Sequence, residues 1–543
     1  MHSGAFSPGA RSGNAARVYD ETATVRGDAL ALETERRRYS HAELRDRSAR
    51  VAGALHEHGL APDDRLCLFL SNRPELVLTA LAALKAGLPF SPANPQFTAR
   101  ELVFQLADSD ARALVTEPSL LPKVAEALDR LDTDPLVILV DDSTDETATD
   151  GDAATTDEAA DATDDIGFDF EFDFDTVAFS SLDADSTMVH REDDDVAMQP
   201  YTSGTTGKPK GVLLTHRNLR AQSFMAFERS ALRADEERFL SILPLAHIAG
   251  FVNRTWQPLI RGAAVYLRDP SEWDPETAMA TIERERITKF GAVTAMYVDI
   301  VNHERFGEYD LSSLEEVMEG GDRLPTSVQE RFETTAGVEL FEAYGLTETG
   351  GGTHVGFGST FGPRLGTIGQ PLRATDCKLV DEEGREVPPG ETGQLLVRGP
   401  HVMKGYHERP AETAEAFTDD GYFRTGDVAR RDADNYYELV DRMSDVIVTA
   451  GYTVYPREIE NALYEHPDVV DAAVVGVPDE RRTETVKAYV VRRQGSAVDA
   501  DRIRAFCLER VAPYKHPRTV EFVEELPRTH NSKVRRVELR EGT

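Results

Sequence analysis

Residues 201–211 read Tyr201-Thr202-Ser203-Gly204-Thr205-Thr206-Gly207-Lys208-Pro209-Lys210-Gly211, between the apolar run Val196 to Met198 and the strand-like Val212 to Leu214. Hydroxyls from Thr202, Ser203, Thr205 and Thr206, the lysines Lys208 and Lys210, and the close backbone approach that Gly204, Gly207 and Gly211 allow compose an anion cradle suited to a polyphosphate. The stretch is not a Walker loop. Only Thr205 and Thr206 separate Gly204 from Gly207-Lys208, and Pro209 stands where Ser or Thr would hold magnesium.

The flanking chain carries an α/β pattern. From about Val18 to Val140 helix-like and strand-like segments alternate, as in Ala42 to His58 followed by Arg65 to Leu70, which implies a mostly parallel sheet covered by helices. Residues 131–190 contain no Lys or Arg, and Asp141 to Asp165 is mostly Asp, Thr and Ala, so an acidic, solvated and disordered surface insert is expected over about 141–166. Phe168, Phe170, Phe172 and Phe174 then alternate with acids. Period 2 puts the rings on one face of an extended segment, read as a strand or lip re-entering the core, with an aggregation-prone or partner-binding stretch as the alternative.

Alternation resumes from Val196 to about Thr375, and a Gly- and Pro-punctuated, strand-rich section follows from Asp376 to Leu439. After Asp441 the character changes. Pro456 opens a short helix with Ile459 and Leu463 on one face, Val469 to Val477 and Val486 to Val491 read as strands, and Asp501 to Arg510 as a helix. The expected fold is therefore α/β. A flexible tail (1–17) precedes a large N-terminal domain of doubly wound sheets with a small strand-rich subdomain (18–440), and a small mobile α+β C-terminal domain (441–543) follows.

At 543 residues the chain exceeds the size at which one core stops growing. Its formal charge of −36 argues against nucleic acid or an anionic membrane surface as a partner. Only ten of its 60 basic residues are lysine, a pattern expected of a halophilic protein in a salt-adapted cytoplasm, with an ordinary acidic protein carrying one acidic insert as the rival. Cys67, Cys377 and Cys507 offer neither a disulfide framework nor zinc-ligand spacing. The longest apolar run, Leu76 to Leu84, falls well short of the ~20 residues needed to cross a bilayer, so no membrane span and a cytoplasmic location are expected.

Further stretches match the chemistry of the 201–211 loop. They are Leu243-Pro244-Leu245-Ala246-His247, Gly320-Gly321-Asp322-Arg323-Leu324-Pro325, Tyr344-Gly345-Leu346-Thr347-Glu348-Thr349 and Tyr422-Phe423-Arg424-Thr425-Gly426-Asp427. Nearer the carboxyl end come Asp441-Arg442-Met443-Ser444-Asp445, Thr449-Ala450-Gly451-Tyr452 and Leu526-Pro527-Arg528-Thr529-His530-Asn531-Ser532-Lys533. Together they resemble the adenylate-forming superfamily of acyl-CoA synthetases, coumarate-CoA ligases, luciferases and peptide-synthetase adenylation domains, over nearly the whole chain apart from the acidic insert.

The resemblance implies a role for each position. Thr202 to Lys208 would hold ATP phosphates; Gly321 and Asp322 would line the adenine and acyl pockets; Tyr344 would stack on adenine beside Gly345. Thr347 would lie near the α-phosphate, and Glu348 would hold Mg²⁺, which a single carboxylate does together with phosphate oxygens. His247 would close over the substrate carboxylate. Asp427 would bind the ribose hydroxyls, as an acceptor-only group can, and Arg442 the ribose or phosphate. Ser444 falls at the domain pivot, where a charged residue is commoner. Gly451 and Tyr452 would meet the coenzyme A arm, and Lys533, with Ser532 where the family has Gly, would be catalytic.

What the resemblance implies as a reaction is an AMP-forming acyl-CoA ligase. A carboxylic acid, expected to be fatty, attacks the α-phosphorus of ATP to give acyl-AMP and pyrophosphate, and the acyl group passes to coenzyme A. Such phosphoryl chemistry rests on positioning and charge stabilisation. A stand-alone adenylation enzyme loading a carrier protein and a non-catalytic adenylate-binding sensor are the alternatives. The expected partners are a small carboxylic acid, ATP, CoA and Mg²⁺, with a homodimer possible. Phe251, Val293, Tyr297, Gly320 and Gly350 to His354 are the candidate acyl-pocket residues.

Overall fold

The computed structural model describes residues 12–140, 174–202, 209–227, 236–321, 324, 326–450, 452–479, 481–528 and 534–541. Two large, mainly parallel sheets form the N-terminal part. The first runs, in spatial order, through Gly405–Tyr406, Lys210–Thr215, Val196–Met198, Phe90–Ala93, Arg65–Phe69, Ala111–Thr116, Leu136–Leu139 and Thr176–Ala178, with Tyr201–Thr202 folded against Lys210–Thr215. The second runs through Gln370–Pro371, Gly351–Val355, Leu340–Leu346, Glu316–Gly320, Lys289–Ala292, Arg238–Ser241, Ala264–Leu267, Leu30–Glu33 and Arg38–Ser40. Its six strands from Leu340–Leu346 to Leu30–Glu33 are parallel, and only its edges are antiparallel.

Local chemistry explains the connecting helices. His41–Glu57 starts where Ser40 and Glu43 satisfy each other's backbone N–H groups in a capping box. Pro74–Ala86 starts with proline at its first turn and stops at Gly87, whose φ of +73° an L side chain resists. Every residue from Leu76 to Ala86 is buried, so the longest apolar run of the sequence is a core helix. Within it the Lys85 ammonium is met by Asp20 at 2.8 Å and by the Arg45 carbonyl at 2.8 Å. One apolar cluster unites Leu66, Leu68 and Phe90 of the first sheet with Leu32 and Val265 of the second and with Leu44, Val77 and Leu81 of these helices.

A third, antiparallel sheet of Asp376–Val380, Thr392–Arg398, Phe423–Arg431 and Tyr437–Arg442 is the expected strand-rich section. The C-terminal module is a five-stranded sheet in which Val469–Asp479 and Thr483–Arg492 form the central hairpin and Thr519–Val523 pairs in parallel with the latter. Helices Pro456–Tyr464 and Ala500–Leu508 cover it, and Ile459, Leu463, Val474, Val490 and Ile503 make its own core.

The amino terminus departs from expectation. Residues 12–17 are not a tail, because Asn14 and Ala15 are buried and Asn14 Nδ2 donates to the Leu84 carbonyl at 2.6 Å, while Gly13 donates to Asp193 at 2.7 Å. Short-range pattern carries no trace of contacts made 70 and 180 residues away. The acidic insert and Phe168, Phe170 and Phe172 lie outside the described residues. Phe174 packs against the apolar cluster of Phe69, Ala93 and Leu114, and the chain then joins the first sheet as Thr176–Ala178. No helix among the described residues is long and apolar enough to cross a membrane.

Candidate active site

The C-terminal ends of the parallel strands in the second sheet and the paired strands Tyr201–Thr202 and Lys210–Thr215 of the first face a cavity of about 1090 Å³. Open α/β sheets place ligands at this end of their strands. Thr202 pairs with Lys210 and Tyr201 with Gly211 across antiparallel strands, so both ends of the hydroxyl-rich loop are fixed. The intervening Ser203, Gly204, Thr205, Thr206, Gly207 and Lys208 lie outside the described residues. Gly211 has a packing reason rather than an anion-binding one, since an added Cβ would stand 2.7 Å from Gln199 Nε2 and 3.1 Å from the Tyr201 ring. Tyr201 itself is held by its hydroxyl, which donates to Asp108 at 2.9 Å, and Asp108 is bridged to Arg409 at 2.7 Å.

Thr202, His247, Gly321, Tyr344, Gly345 and Thr347 line this cavity, as do Glu348, Asp427, Arg442 and Ser444. Strand Leu340–Leu346 delivers Tyr344, whose buried hydroxyl donates to Asp427 Oδ2 at 2.6 Å. Burial and then the Asp427 charge push the Tyr344 phenol well above its ordinary pKa. Arg442, opposite Asp427 on the neighbouring strand, approaches Asp427 Oδ1 with its Nε at 3.4 Å. The result is a carboxylate at the cavity wall with one oxygen on a phenol and the other near a guanidinium.

Glu348 sits in the single turn Thr347–Thr349 that follows the strand. Burial pushes its carboxyl above the ordinary carboxylate range, opposed by its own backbone N–H and by the Tyr406 hydroxyl, which donates to Glu348 Oε1 at 3.1 Å. The Lys210 ammonium lies 4.7 Å from the centre of the same Tyr406 ring. No cluster of three or more His, Cys, Asp or Glu able to hold a metal exists among the described residues. A lone carboxylate of this kind suits a magnesium ion that travels with a nucleotide and keeps phosphate and water ligands.

His247 precedes the π-helix Ala249–Trp256, which meets the cavity through Ala249, Asn253 and Arg254. Gly321 follows strand Glu316–Gly320 with a φ of +126°, where a side chain would be strained. Gly345 lies at a register shift between its strand and Gly351–Val355, and an added Cβ would collide with the Gly351 carbonyl. Asp322, Gly451 and Lys533 lie outside the described residues, although Arg528 and Val534 pair in an antiparallel bridge on either side of the 529–533 segment. Tyr452 is not at the cavity. It is 55% exposed and stacks on Tyr514 with centroids 4.6 Å apart. Of the expected acyl-pocket residues, Val293, Gly320, Gly351, Gly352 and His354 line the cavity. Phe251 and Tyr297 are core, packed on Phe90 and Phe332.

Several positioning residues escape sequence reading. Asn72 donates to the Leu243 and Arg268 carbonyls at 2.9 and 3.0 Å and accepts from Leu245 N at 2.8 Å, fixing the segment that leads to His247. Gln222 is buried and donates to the carbonyls of Thr349 (2.7 Å) and Gly352 (2.9 Å), fixing the turn after Glu348. Tyr406 reaches Glu348 from a strand 58 residues away. Each is a common residue type in an unremarkable local context, so no spacing rule would single it out.

The AMP-binding enzyme family matches residues 19–407, and the AMP-binding enzyme C-terminal domain matches residues 458–533. The chain is 36% identical over 526 residues to a feruloyl-CoA synthase of Amycolatopsis sp, covering 97% of this chain and 96% of that protein. It is 34% identical over 501 residues to a long-chain-fatty-acid–CoA ligase of Bacillus subtilis, covering 91% and 88%. The crystal structure of ATP-bound MatB from Rhodopseudomonas palustris superposes with a TM-score of 0.84 at 27% identity, covering 97% of this chain and 98% of that one. A match over more than half the chain, whole-length relatives and one cavity that gathers the motif residues agree, and the chain belongs to the AMP-binding enzyme family of the adenylate-forming superfamily.

Proposed function

We propose that this protein is an AMP-forming acid–thiol ligase that converts an organic carboxylic acid and ATP into acyl-AMP and pyrophosphate, then transfers the acyl group to coenzyme A. The observation that carries the reading is the convergence of Thr202, Lys210, Glu348, Tyr344, Asp427 and Arg442 on one cavity, a set with groups suited to phosphates, a cation and a ribose. The relatives are named as CoA ligases, which favours coenzyme A over a carrier protein as acceptor. Their names span an aromatic and a long-chain fatty acid, so they do not favour the fatty substrate over an aromatic one.

A carboxylate is a poor acyl donor until oxide is replaced by a better leaving group. In-line attack of its oxygen on the α-phosphorus forms the acyl–phosphate bond and expels pyrophosphate. Attack of the thiol sulfur on the acyl carbon then expels AMP, and the thiol proton is lost. Asp427 accepts hydrogen bonds from the ribose while Tyr344 and Arg442 fix its orientation. The 201–211 loop donates to the departing pyrophosphate, and Lys533 offsets charge at the α-phosphate. Magnesium bound with ATP would be held by Glu348 and would neutralise phosphate charge. A small domain that swings about Ser444 presents Lys533 for the first step and Gly451 with Tyr452 for the second. Each substrate is tested by omission: purified protein with ATP, Mg²⁺, an acid panel and CoA should release AMP and pyrophosphate in step with thioester. Release of ADP, or AMP that forms without any acid, would overturn the reading.

A further inference from the structure

Among the described residues, one charge in the cavity makes no hydrogen bond or ion pair. Arg254, from the π-helix Ala249–Trp256, is 6% exposed, and its side chain lines the cavity. The guanidinium lies over strand Lys289–Ala292 at Gly291, where an added Cβ would collide with it, so glycine is what leaves room for this arginine. The neighbouring charges are engaged with one another. Lys289 bonds Glu316 and stands 3.4 Å from Glu237, and Arg261 Nε donates to Glu237 at 2.7 Å. Glu319 accepts from the Thr294 hydroxyl at 3.0 Å, and the Tyr297 hydroxyl donates to the Met318 carbonyl at 2.8 Å. Among the described residues no hydrogen bond or ion pair reaches the Arg254 guanidinium; Glu316 and Tyr297 act on it only through space. Burial accordingly holds it below the ordinary arginine pKa.

A buried guanidinium without acceptors is costly, because it has surrendered water and gained nothing in return. Such a group is stable in a binding site when the ligand brings the missing acceptor. Met318, opposite Gly291 on the neighbouring strand, and Val293 line the same cavity and give it apolar surface that a hydrocarbon portion of the acid would cover. Resting on the ligase reading above, we propose that the acid activated here carries a second oxygen acceptor remote from its reacting carboxylate, and that Arg254 binds that oxygen and selects against acids with plain hydrocarbon tails.

Matched acid pairs test this by kcat/KM for AMP formation: hexanoate against adipate for an anionic tail, and cinnamate against 4-hydroxycinnamate for a neutral one. The wild type should prefer the oxygen-bearing member of at least one pair by well over ~100-fold, since sites built to hydrogen-bond a substrate group reject an analogue lacking it by about 10⁴-fold. R254M should shrink that preference to about threefold or less, and R254K should retain part of it. The pair that responds tells whether the natural tail is charged or neutral. Each ratio is taken within one preparation, so partial misfolding of a variant cancels. Thermal unfolding without substrate supplies a readout that does not depend on turnover: removing an unpartnered buried charge should leave Tm unchanged or raised, whereas a structural ion pair would be lost with a marked fall. Equal use of both members of each pair by the wild type, a preference unchanged in R254M, or a markedly lowered Tm would each overturn the proposal. Failure of every acid to yield AMP would sink the ligase reading, and the Tm result would still judge Arg254.

Discussion

Glu348 keeps its proton to a higher pH than a free glutamate, because burial disfavours the charged form more than its backbone N–H and the Tyr406 hydroxyl favour it. Only the ionised carboxylate holds a cation. The acid limb of kcat/KM for MgATP should therefore lie above the ~4.3 of an unperturbed glutamate. Tyr406→Phe removes a donor that favours the ionised form, so the limb should move to still higher pH, with a modest loss of rate at neutral pH. A pH–rate profile in which the limb stays put or moves down in Tyr406→Phe would exclude Glu348 as the titrating group. At this scale the sequence was legible where cavity-lining residues occupy a contiguous stretch, as in 344–348 or 423–427. It was silent on Tyr406, Gln222 and Asn72, whose partners are brought close only by the sheets, and on Arg254, which the fold alone brings to the cavity.

Between elements, the bonds on either side of Ser444 belong to different bodies. The Met443 amide donates to the Gly426 carbonyl at 2.9 Å in the third sheet, while Asp445 is approached at 3.4 and 3.5 Å by Arg536 and Arg540 of the last helix, Arg536–Glu541. Asp441 Oδ2 accepts from Arg457 N at 2.9 Å, and burial pushes this carboxyl up to about 6. That contact crosses from the last strand of the third sheet to the first turn of helix Pro456–Tyr464, so a swing about Ser444 must break it. Two strands and two helices of the C-terminal module were readable from period and proline placement, whereas the short strands Ile447–Thr449, Tyr452–Val454 and Thr519–Val523 and the last helix were not. If the small domain presents different faces in the two steps, Lys533→Ala should slow acyl-adenylate formation ~100- to 1000-fold, as loss of one charge-stabilising donor does. The same variant should still convert supplied acyl-adenylate and CoA to thioester. Gly451→Leu should do the reverse, obstructing the thiol arm without touching ATP. Equal slowing of both half-reactions by each variant would rule out the division of labour.

Across the whole molecule the negative charge is met by few ammonium groups. Lys85 and Lys289 are buried in ion pairs and Lys210 faces the cavity, so three of only ten lysines are withdrawn from the surface of a chain whose net charge is −36. Composition made this charge legible, but the division of lysines between core and surface required the fold. Part of the excess lies in the acidic insert. Of the 35 residues between Val140 and Thr176, removing the 22 from Ser143 to Asp164 leaves 13, and Leu136–Leu139 and Thr176–Ala178 are parallel neighbours. A parallel connection needs about a dozen residues, so the deletion should fold and retain near-normal AMP formation; a large loss of activity in a folded deletion variant would show that the insert acts at the site. The remaining surface charge should still make folding depend on salt. Repulsion among like charges extends over about 10 Å at 0.1 M salt but only about 3 Å at 1 M. Tm and AMP-forming activity should therefore rise steeply from about 0.1 M to about 2 M KCl, and the deletion variant should need less salt than the full chain. Sucrose, which favours the compact state by exclusion without screening charge, should not replace KCl. A Tm at ~0.1 M KCl equal to that at ~2 M would mean that the compact state tolerates its own charge without screening, and the salt-adapted reading would fall.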